Sequence, residues 1–399
     1  MNPLLQNVTV VSFTHYLQGP SCAQLLADLG ARVIKVERVG GAYERSWSGL
    51  NSYLNDESVF YLLSGRNQES VEIDLKAKKG QEVAKKLIQN ADVVIENYRP
   101  GVMDRLELGY EQVKEDNPKI IYCSLSGYGT NGPYKGKAGQ DLLIQSLSGM
   151  TALNGPGTQA PQPVGTALVD QHAAVLGAMG ILAALVRKIQ TGEGCHVDSN
   201  LLSASLDLQI EPFNYFLNGF DLFPRSTQGI STRFHQAPYG VFATSDGYIT
   251  VSLTKPSVLA SVFSDPYLRS LEADELFEKR ELVNAHISEA IRKNTTLYWE
   301  KVFEDANVWY APVAEYPDVE KNPQVQANHS ILEFEHPVAG QVKVLNHPVR
   351  YDGAPPALRR VPPALGEDTR SILSELGYSD AEIDCLETNG DVGENPKLT

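Results

Sequence analysis

The first 127 residues alternate between short apolar runs and helical patterns, and this alternation restricts the possible folds more than any other feature of the chain. NVTVVSF (Asn7–Phe13) is a β-branched run. A turn follows, THYLQGP, in which Pro20 suits the first position of a helix. SCAQLLADLGA continues that helix, Gly30 ends it, and RVIKVE (Arg32–Glu37) is the next strand. The rhythm then repeats through SVEIDL (Ser70–Leu75), the amphipathic GQEVAKKLIQNA, the wholly buried type of strand in DVVIEN (Asp92–Asn97), a short helix in RPGVMDRLELGY, and KIIYCSLSG (Lys119–Gly127). Strands separated by helices are joined by crossovers, so the sequence predicts an α/β fold with a doubly wound, mainly parallel, Rossmann-like sheet.

The first βαβ unit lacks a dinucleotide fingerprint. Its turn reads THYLQGP rather than GxGxxG, so the glycines that let a pyrophosphate approach the backbone are missing, and NAD or FAD is not the expected ligand. Composition changes after Gly219. APYGVFATSDGYITVSL reads as two strands joined at Ser-Asp-Gly, helical patterns fill Lys255 to Asp305, and VWYAPVAEY is a short strand. The expected organisation is a large α/β domain over residues 1–220, a linker and smaller α+β domain over 221–325, and a C-terminal segment over 326–399 that returns towards the large domain and ends in a frayed NGDVGENPKLT.

One stretch stands out within the large domain: PVGTALVDQHAAVLGAMGILAALVRKIQTGEG, Pro163 to Gly194. Ala173, Ala174, Gly177, Ala178 and Ile181 recur at helical spacing, and small residues at that spacing suit close backbone packing. Asp170 lies at the start of the helix. It has two readings: an N-cap worth ~1 kcal/mol, or a carboxylate positioned as a nucleophile. The local sequence is compatible with both.

A net charge of −15 over 399 residues argues against nucleic acid as a general partner. MNPLLQNVTVVSF has no basic n-region, and the Ala173–Val186 run has the length of a buried helix, so neither a signal peptide nor a membrane span is expected. Cys22, Cys123, Cys195 and Cys385 are far apart and read as reduced cytoplasmic thiols. The eight histidines form no HxxxH or HExxH pair, so no metal site is expected. The chain also offers no evident Ser-His or Cys-His constellation.

Within this acidic chain the cations of the N-terminal half fall at strand ends. Lys35 and Arg38 flank the second strand, Lys76 ends the third, Arg99 and Arg105 follow the fourth, and Lys135 and Lys137 sit in the Gly-rich loop after the fifth. In a doubly wound sheet several such ends converge, which suggests a pocket for a phosphorylated ligand.

Taken in order, THYLQGPSCAQLLADLGARVIKVER, SVEIDLK, ADVVIENYRPGVMDRLELGY, NPKIIYCSLSGYGTNGPY, GTALVDQHAAVLGAMGILAALVRKIQTGEGCHVD and LGEDTRSILSELGYSDAEI resemble the family III CoA-transferases, a group that includes formyl-CoA transferase and carnitine CoA-transferase. The resemblance implies a CoA-transferase that moves CoA from an acyl-CoA thioester to a small carboxylic acid, with Asp170 as the catalytic nucleophile and no tightly bound cofactor. It implies CoA contacts at Tyr16, Leu17, Gln18, Arg38, Ile73, Lys76, Asn97, Tyr98, Arg99, Arg105, Lys137, Ala138 and Gln140. It also implies an interlocked homodimer. Related α-methylacyl-CoA racemases carry His-Asp where this chain reads Gln140-Asp141, and an amide cannot shuttle an α-proton. The glycine run of the formyl-CoA transferase small domain has no counterpart in RSTQGISTRFHQAPYG.

Overall fold

A computed structural model describes residues 3–228, 232–272 and 274–393. Gly229, Ile230 and Ser231 of the RSTQGISTRFHQAPYG segment, and the last six residues of the expected frayed tail, lie outside the described residues. The chain divides into two compact units: Met1–Ile144, Ala167–Ser205 and Pro323–Thr399 form the first, and Gln145–Thr166 with Leu206–Asn322 the second.

The first unit is built on a six-stranded sheet. In chain order its elements include β1 (Thr9–Phe13), α1 (Gln18–Asp28), β2 (Arg32–Glu37), β3 (Gln68–Glu72), α2 (Lys78–Gln89), β4 (Val93–Glu96), α3 (Tyr110–Asp116), β5 (Ile121–Ser126), the start of α4 (Asp141–Leu147), α5 (Leu168–Thr191) and β6 (Cys195–Asn200). The strand order is β3-β2-β1-β4-β5-β6 and every pairing is parallel. The strands predicted from the sequence are present: Arg32–Glu37 has the expected bounds, the expected Ser70–Leu75 strand lies at Gln68–Glu72, and the other three are shorter than expected by one to three residues.

Strand alternation sorts the core into two layers. Val11, Phe13, Val36, Val94 and Tyr122 face α2, α3 and the C-terminal helices. Val10, Val33, Ile95, Cys123 and Leu125 face α1 and α5. The small residues of α5 set how closely it lies on the sheet. A Cβ on Gly177 would stand 2.8 Å from Leu125 Cδ2, and one on Gly180 would stand 2.8 Å from Val197 Cγ1. Gly192, at φ +78°, ends the helix in the left-handed region that favours glycine. At 24 residues α5 is longer than the apolar run suggested and is long and apolar enough to cross a membrane. One side of it nevertheless belongs to the core of the sheet.

The second unit holds a three-stranded antiparallel sheet of β7 (Tyr239–Ala243), β8 (Tyr248–Ser252) and β9 (Trp309–Pro312), with β8 in the centre. The Ser-Asp-Gly turn joins β7 to β8, and Asp246 accepts from the Thr296 N–H at 2.7 Å. Phe242, Val251, Ile287, Trp299 and Phe303 form its core. This unit also takes residues 145–166 and 206–220, which the sequence assigned to the large domain. The reason is a set of polar ties. The Gln145 side chain accepts from Val164 N–H at 2.8 Å, Arg225 donates to the carbonyls of Asn154 and Gln159 at 2.9 Å each, and Gly157 N–H donates to Ser226 O at 2.7 Å.

The C-terminal part of the first unit carries, after a short helix over Pro323–Ala327, a hairpin of β10 (Ile331–His336) and β11 (Gly340–Leu345). It ends in α6 (Thr369–Glu375) and α7 (Asp380–Thr388), where Ser379 and Glu382 form a capping box. Ile372, Leu373, Ile383 and Leu386 of these helices complete the α2–α3 face of the core.

Candidate active site

With the order 3-2-1-4-5-6, the sheet changes winding direction between β1 and β4. Ligands of such sheets bind outside the carboxyl ends of the strands at this point. The loops leaving β1 and β4 are locked together there. His15 N–H donates to Asn97 Oδ1 at 3.0 Å, and Asn97 Nδ2 donates back to His15 O at 2.8 Å. Gly19 permits the approach, since a Cβ there would lie 2.6 Å from Thr14 Cβ and 2.9 Å from Asn97 Cγ. Tyr16 follows at φ +63°, a conformation that costs a bulky side chain about 1–3 kcal/mol and that surrounding structure must hold. Its N–H donates to Glu44 Oε2 at 3.3 Å, and Glu44 is itself ion-paired with Lys35 inside the protein.

That pairing corrects one expectation. Lys35 is buried against Glu44 and is not available to a phosphate. Glu37 is similarly internal: burial alone would raise its pKa, but Arg45 and Lys35 overcome this and hold it down. Arg38, Lys76, Arg99, Arg105 and Lys137 are exposed along the carboxyl edge. Arg38 Nε donates to Gly41 O at 2.7 Å, which fixes its stem. Ile73 is also placed differently from a ligand-facing residue. Its side chain is fully buried in the core and its N–H donates to Glu37 O, so it shapes the edge from beneath.

Tyr16 opens an aromatic series that the sequence did not single out. His15 packs on Tyr16 at 5.1 Å and on Tyr98 at 5.0 Å. Tyr16 then meets Tyr43, Tyr43 meets Trp47, and Trp47 meets Phe60, at centroid distances of 5.0, 5.7 and 5.0 Å. Tyr16, Tyr43 and Trp47 are each two-fifths or more exposed, giving an aromatic wall beside the crevice. Burial pushes the His15 pKa down, so the ring is neutral at physiological pH. Leu17 precedes α1 and Gln18 begins it. Gln18 is buried with no partner for Nε2 among the described residues.

The loop after β5 carries Lys137, Ala138 and Gln140, all exposed. Gly127 and Gly139 close its base backbone to backbone, where a Cβ on Gly127 would lie 2.6 Å from Gly139 Cα. Lys137 Nζ stands 3.8 Å over the Tyr134 ring, and Thr130 ties the loop to Asp198 on β6.

Asp141 and Asp170 meet where this loop hands over to α4. Asp170 is the third residue of α5, not its N-cap, which is Ala167 with no side-chain cap of its own. The capping group is Asp141 from the neighbouring helix. Its Oδ2 accepts from Val169 N–H at 2.7 Å and from Asp170 N–H at 2.9 Å. The capping alternative for Asp170 is therefore overturned. The Asp170 carboxyl is half-buried, and no hydrogen bond to it forms among the described residues. Burial, and then the Asp141 charge, push its pKa up to about 7. Gln171 Nε2 donates to Ser21 Oγ at 3.2 Å, which sets the first turn of α5 against α1 and the Tyr16–Gln18 turn. Lys76, Arg99 and Arg105 stand on other loops of the same edge, and no hydrogen bond or ring contact joins them to that cluster among the described residues.

On the α3 face of the sheet a second polar group assembles that the sequence did not anticipate. Ser124 Oγ lies 2.9 Å from His196 Nε2, Tyr110 stacks on His196 at 4.9 Å, and burial pushes Glu96 up to about 7. These residues line a cavity of about 200 Å³. The signal was present in the strands, since Glu96 and Ser124 are direct cross-strand partners and His196 lies on the same face.

The CoA-transferase family III profile matches residues 5–369. The chain belongs to this family. Succinyl-CoA:glutarate CoA-transferase of Homo sapiens is 33% identical over 406 residues, covering 98% of this chain and 90% of that protein. Succinate–glutarate CoA-transferase of Agrobacterium fabrum is 30% identical over 387 residues, covering 94% of this chain and 96% of that protein. The crystal structure of a CAIB/BAIF family protein from Brucella suis superposes with a TM-score of 0.80 at 27% identity, covering 94% of this chain and all of that one. The protein is thus an enzyme of the CoA-transferase class, and its parallel sheet is that of the family III CoA-transferases.

Proposed function

We propose that this family III CoA-transferase carries CoA from a dicarboxylic acyl-CoA, of which succinyl-CoA is the first candidate, to a dicarboxylic acid of glutarate size, with Asp170 as the covalent nucleophile. The observation that carries the nucleophile assignment is the capping of α5 by Asp141, which leaves the Asp170 carboxylate half-buried and without a structural hydrogen bond. The donor and acceptor rest on the names of the human and Agrobacterium relatives.

Each step balances without a redox partner. An Asp170 carboxylate oxygen attacks the thioester carbonyl, the C–S bond breaks, and CoA leaves as thiolate with an aspartyl anhydride formed. The thiolate attacks the aspartyl carbonyl, releases the donor acid as carboxylate, and leaves an aspartyl-CoA thioester. The acceptor carboxylate attacks that thioester and expels the thiolate. The thiolate takes the acceptor acyl group and regenerates Asp170. A carboxylate in water is a weak nucleophile, and positioning with partial desolvation makes the attack feasible.

CoA is assigned to the carboxyl edge of the sheet. Tyr16, Leu17 and Gln18 would line the turn beside Asp170, and Asn97, Tyr98 and Arg99 the facing loop. Arg38, Lys76 and Arg105 would supply charge for the phosphates, and Lys137, Ala138 and Gln140 the cover. A second copy of the chain is the proposed occupant of an exposed apolar stripe on α5, where Val175, Met179, Val186 and Ile189 are each about half exposed or more, and of Leu142 and Leu143 nearby. The four free cysteines suit a cytoplasmic location.

The test is trapping. Incubation with succinyl-CoA and hydroxylamine should mark the peptide containing Asp170. Asp170→Asn and Asp170→Ser should fold and fail to turn over. Wild-type turnover in Asp170→Asn, with reversion by deamidation excluded by intact mass, would refute the assignment.

A further inference from the structure

A helix N-terminus leaves its first N–H groups without partners, and the side chain of the N-cap residue normally satisfies them. Here that duty falls on another segment. Asp141 begins α4, and a single oxygen of its carboxylate accepts both the Val169 and the Asp170 N–H. The first turn of α5 is satisfied from outside the helix, and Asp170 sits within it with its own side chain unengaged by the described residues.

We propose that Asp141 is a positioning residue for CoA transfer: by capping α5 from α4 it keeps Asp170 out of the capping role and sets a negative charge beside it, so that Asp170 attacks as a more basic carboxylate. This rests on the reading of Asp170 as the nucleophile. Two physical effects act together. The positive end of the helix dipole, which would stabilise an ionised Asp170, is already engaged by the Asp141 oxygen. The Asp141 charge then disfavours a second negative charge on Asp170. At the start of α5, α1 presents Ser21, β6 presents Ser199, whose Oγ donates to Ala173 O at 3.5 Å, and α4 presents Asp141. Asp141 is the charged group acting on Asp170 among the described residues. The Asp170 pKa near 7 agrees with this geometry. A more basic carboxylate is the better nucleophile towards a thioester, and near neutral pH a large share of it remains ionised.

The test is the pH dependence of turnover in wild type and in Asp141→Asn, with succinyl-CoA as donor. The amide keeps an oxygen acceptor for the two N–H groups and removes the charge. Three results are expected. The acid limb of kcat should move down by about one pH unit, the size of effect a neighbouring like charge exerts. The alkaline plateau of kcat should fall several-fold. KM for the acyl-CoA should stay near the wild-type value. Asp141→Ser, a neutral residue able to accept a hydrogen bond, should behave likewise, and Asp141→Glu should restore the wild-type limb.

An acid limb unmoved in Asp141→Asn and Asp141→Ser, while hydroxylamine still marks Asp170, overturns the role given to Asp141 and leaves Asp170 as nucleophile. No mark at Asp170 in the wild type overturns the nucleophile reading itself. If neither neutral variant folds, the wild type decides: its acid limb must lie well above the ordinary aspartate range, and a limb near pH 4 overturns the proposal.

Discussion

Replacing Asp170 by Asn should stabilise the protein above neutral pH while abolishing turnover, and the gain can be worked from the site. Burial, and then the Asp141 charge, raise the Asp170 pKa from 3.8 to about 7. The folded state therefore holds this proton more tightly than the unfolded chain does. The stability this contributes is fully present below about pH 4, is lost as pH rises towards 7, and is gone above it. Three pH units correspond to about 4 kcal/mol. The side chain is half-buried, and solvent screening reduces this to ~2 kcal/mol. Asn carries no charge at any pH, so the difference in unfolding free energy between Asp170→Asn and wild type should widen by ~2 kcal/mol between about pH 4.5 and 8, then level off. Urea denaturation at a fixed protein concentration across that range measures it. A constant difference across the range would show that Asp170 titrates as an ordinary exposed aspartate, and would remove the physical basis for its basicity.

Two further outcomes follow from the packing. Gly127→Ala places a Cβ 2.6 Å from Gly139 Cα; it should displace the 128–140 loop, cost about 1–3 kcal/mol, and raise the calorimetric Kd for CoA by more than tenfold, whereas unchanged CoA affinity would separate that loop from the binding site. Of the four thiols, Cys385 is exposed and Cys22 and Cys123 are buried with pKa values pushed up, so a disulfide reagent should modify Cys385 rapidly and leave Cys22 and Cys123 intact until urea unfolds the chain, as peptide mass mapping would show.

The sheet was legible because its information is local. The β-branched runs and the intervening helices each declare themselves within a dozen residues, and a chain of parallel strands admits few windings. The small-residue pattern of α5 likewise encodes its close approach at Gly177 and Gly180. What the sequence did not disclose is pairwise and distant. Nothing in KVER announces that Lys35 faces Glu44 inside the protein. Nothing at position 170 announces that residue 141 performs the capping. The Ser124–His196 contact joins residues 72 positions apart through neighbouring strands, and register, rather than composition, brings them together. The excursion of residues 145–166 into the second unit was hidden for the same reason, since its ties run to Arg225 and Ser226.

Asp141 and Asp170 share one reference strand. β5 passes Leu125 under Gly177 of α5, and its next residues lead into the loop that Gly127 and Gly139 pinch shut. The pinch delivers the chain to Gln140 and Asp141. Asp170 reaches the same place from the other direction, as the third residue of a helix whose height above the sheet is set by Gly177 on Leu125. The two carboxylates are thus measured from one strand along two short routes, each closed by glycine contacts that leave little slack. Two like-charged groups can be kept at one helix end, Asp141 hydrogen-bonded to it and Asp170 within it, only if neither can drift away to relieve the repulsion. Rigid packing against β5 supplies that restraint, which is why the small residues of α5 bear on the ionisation of Asp170.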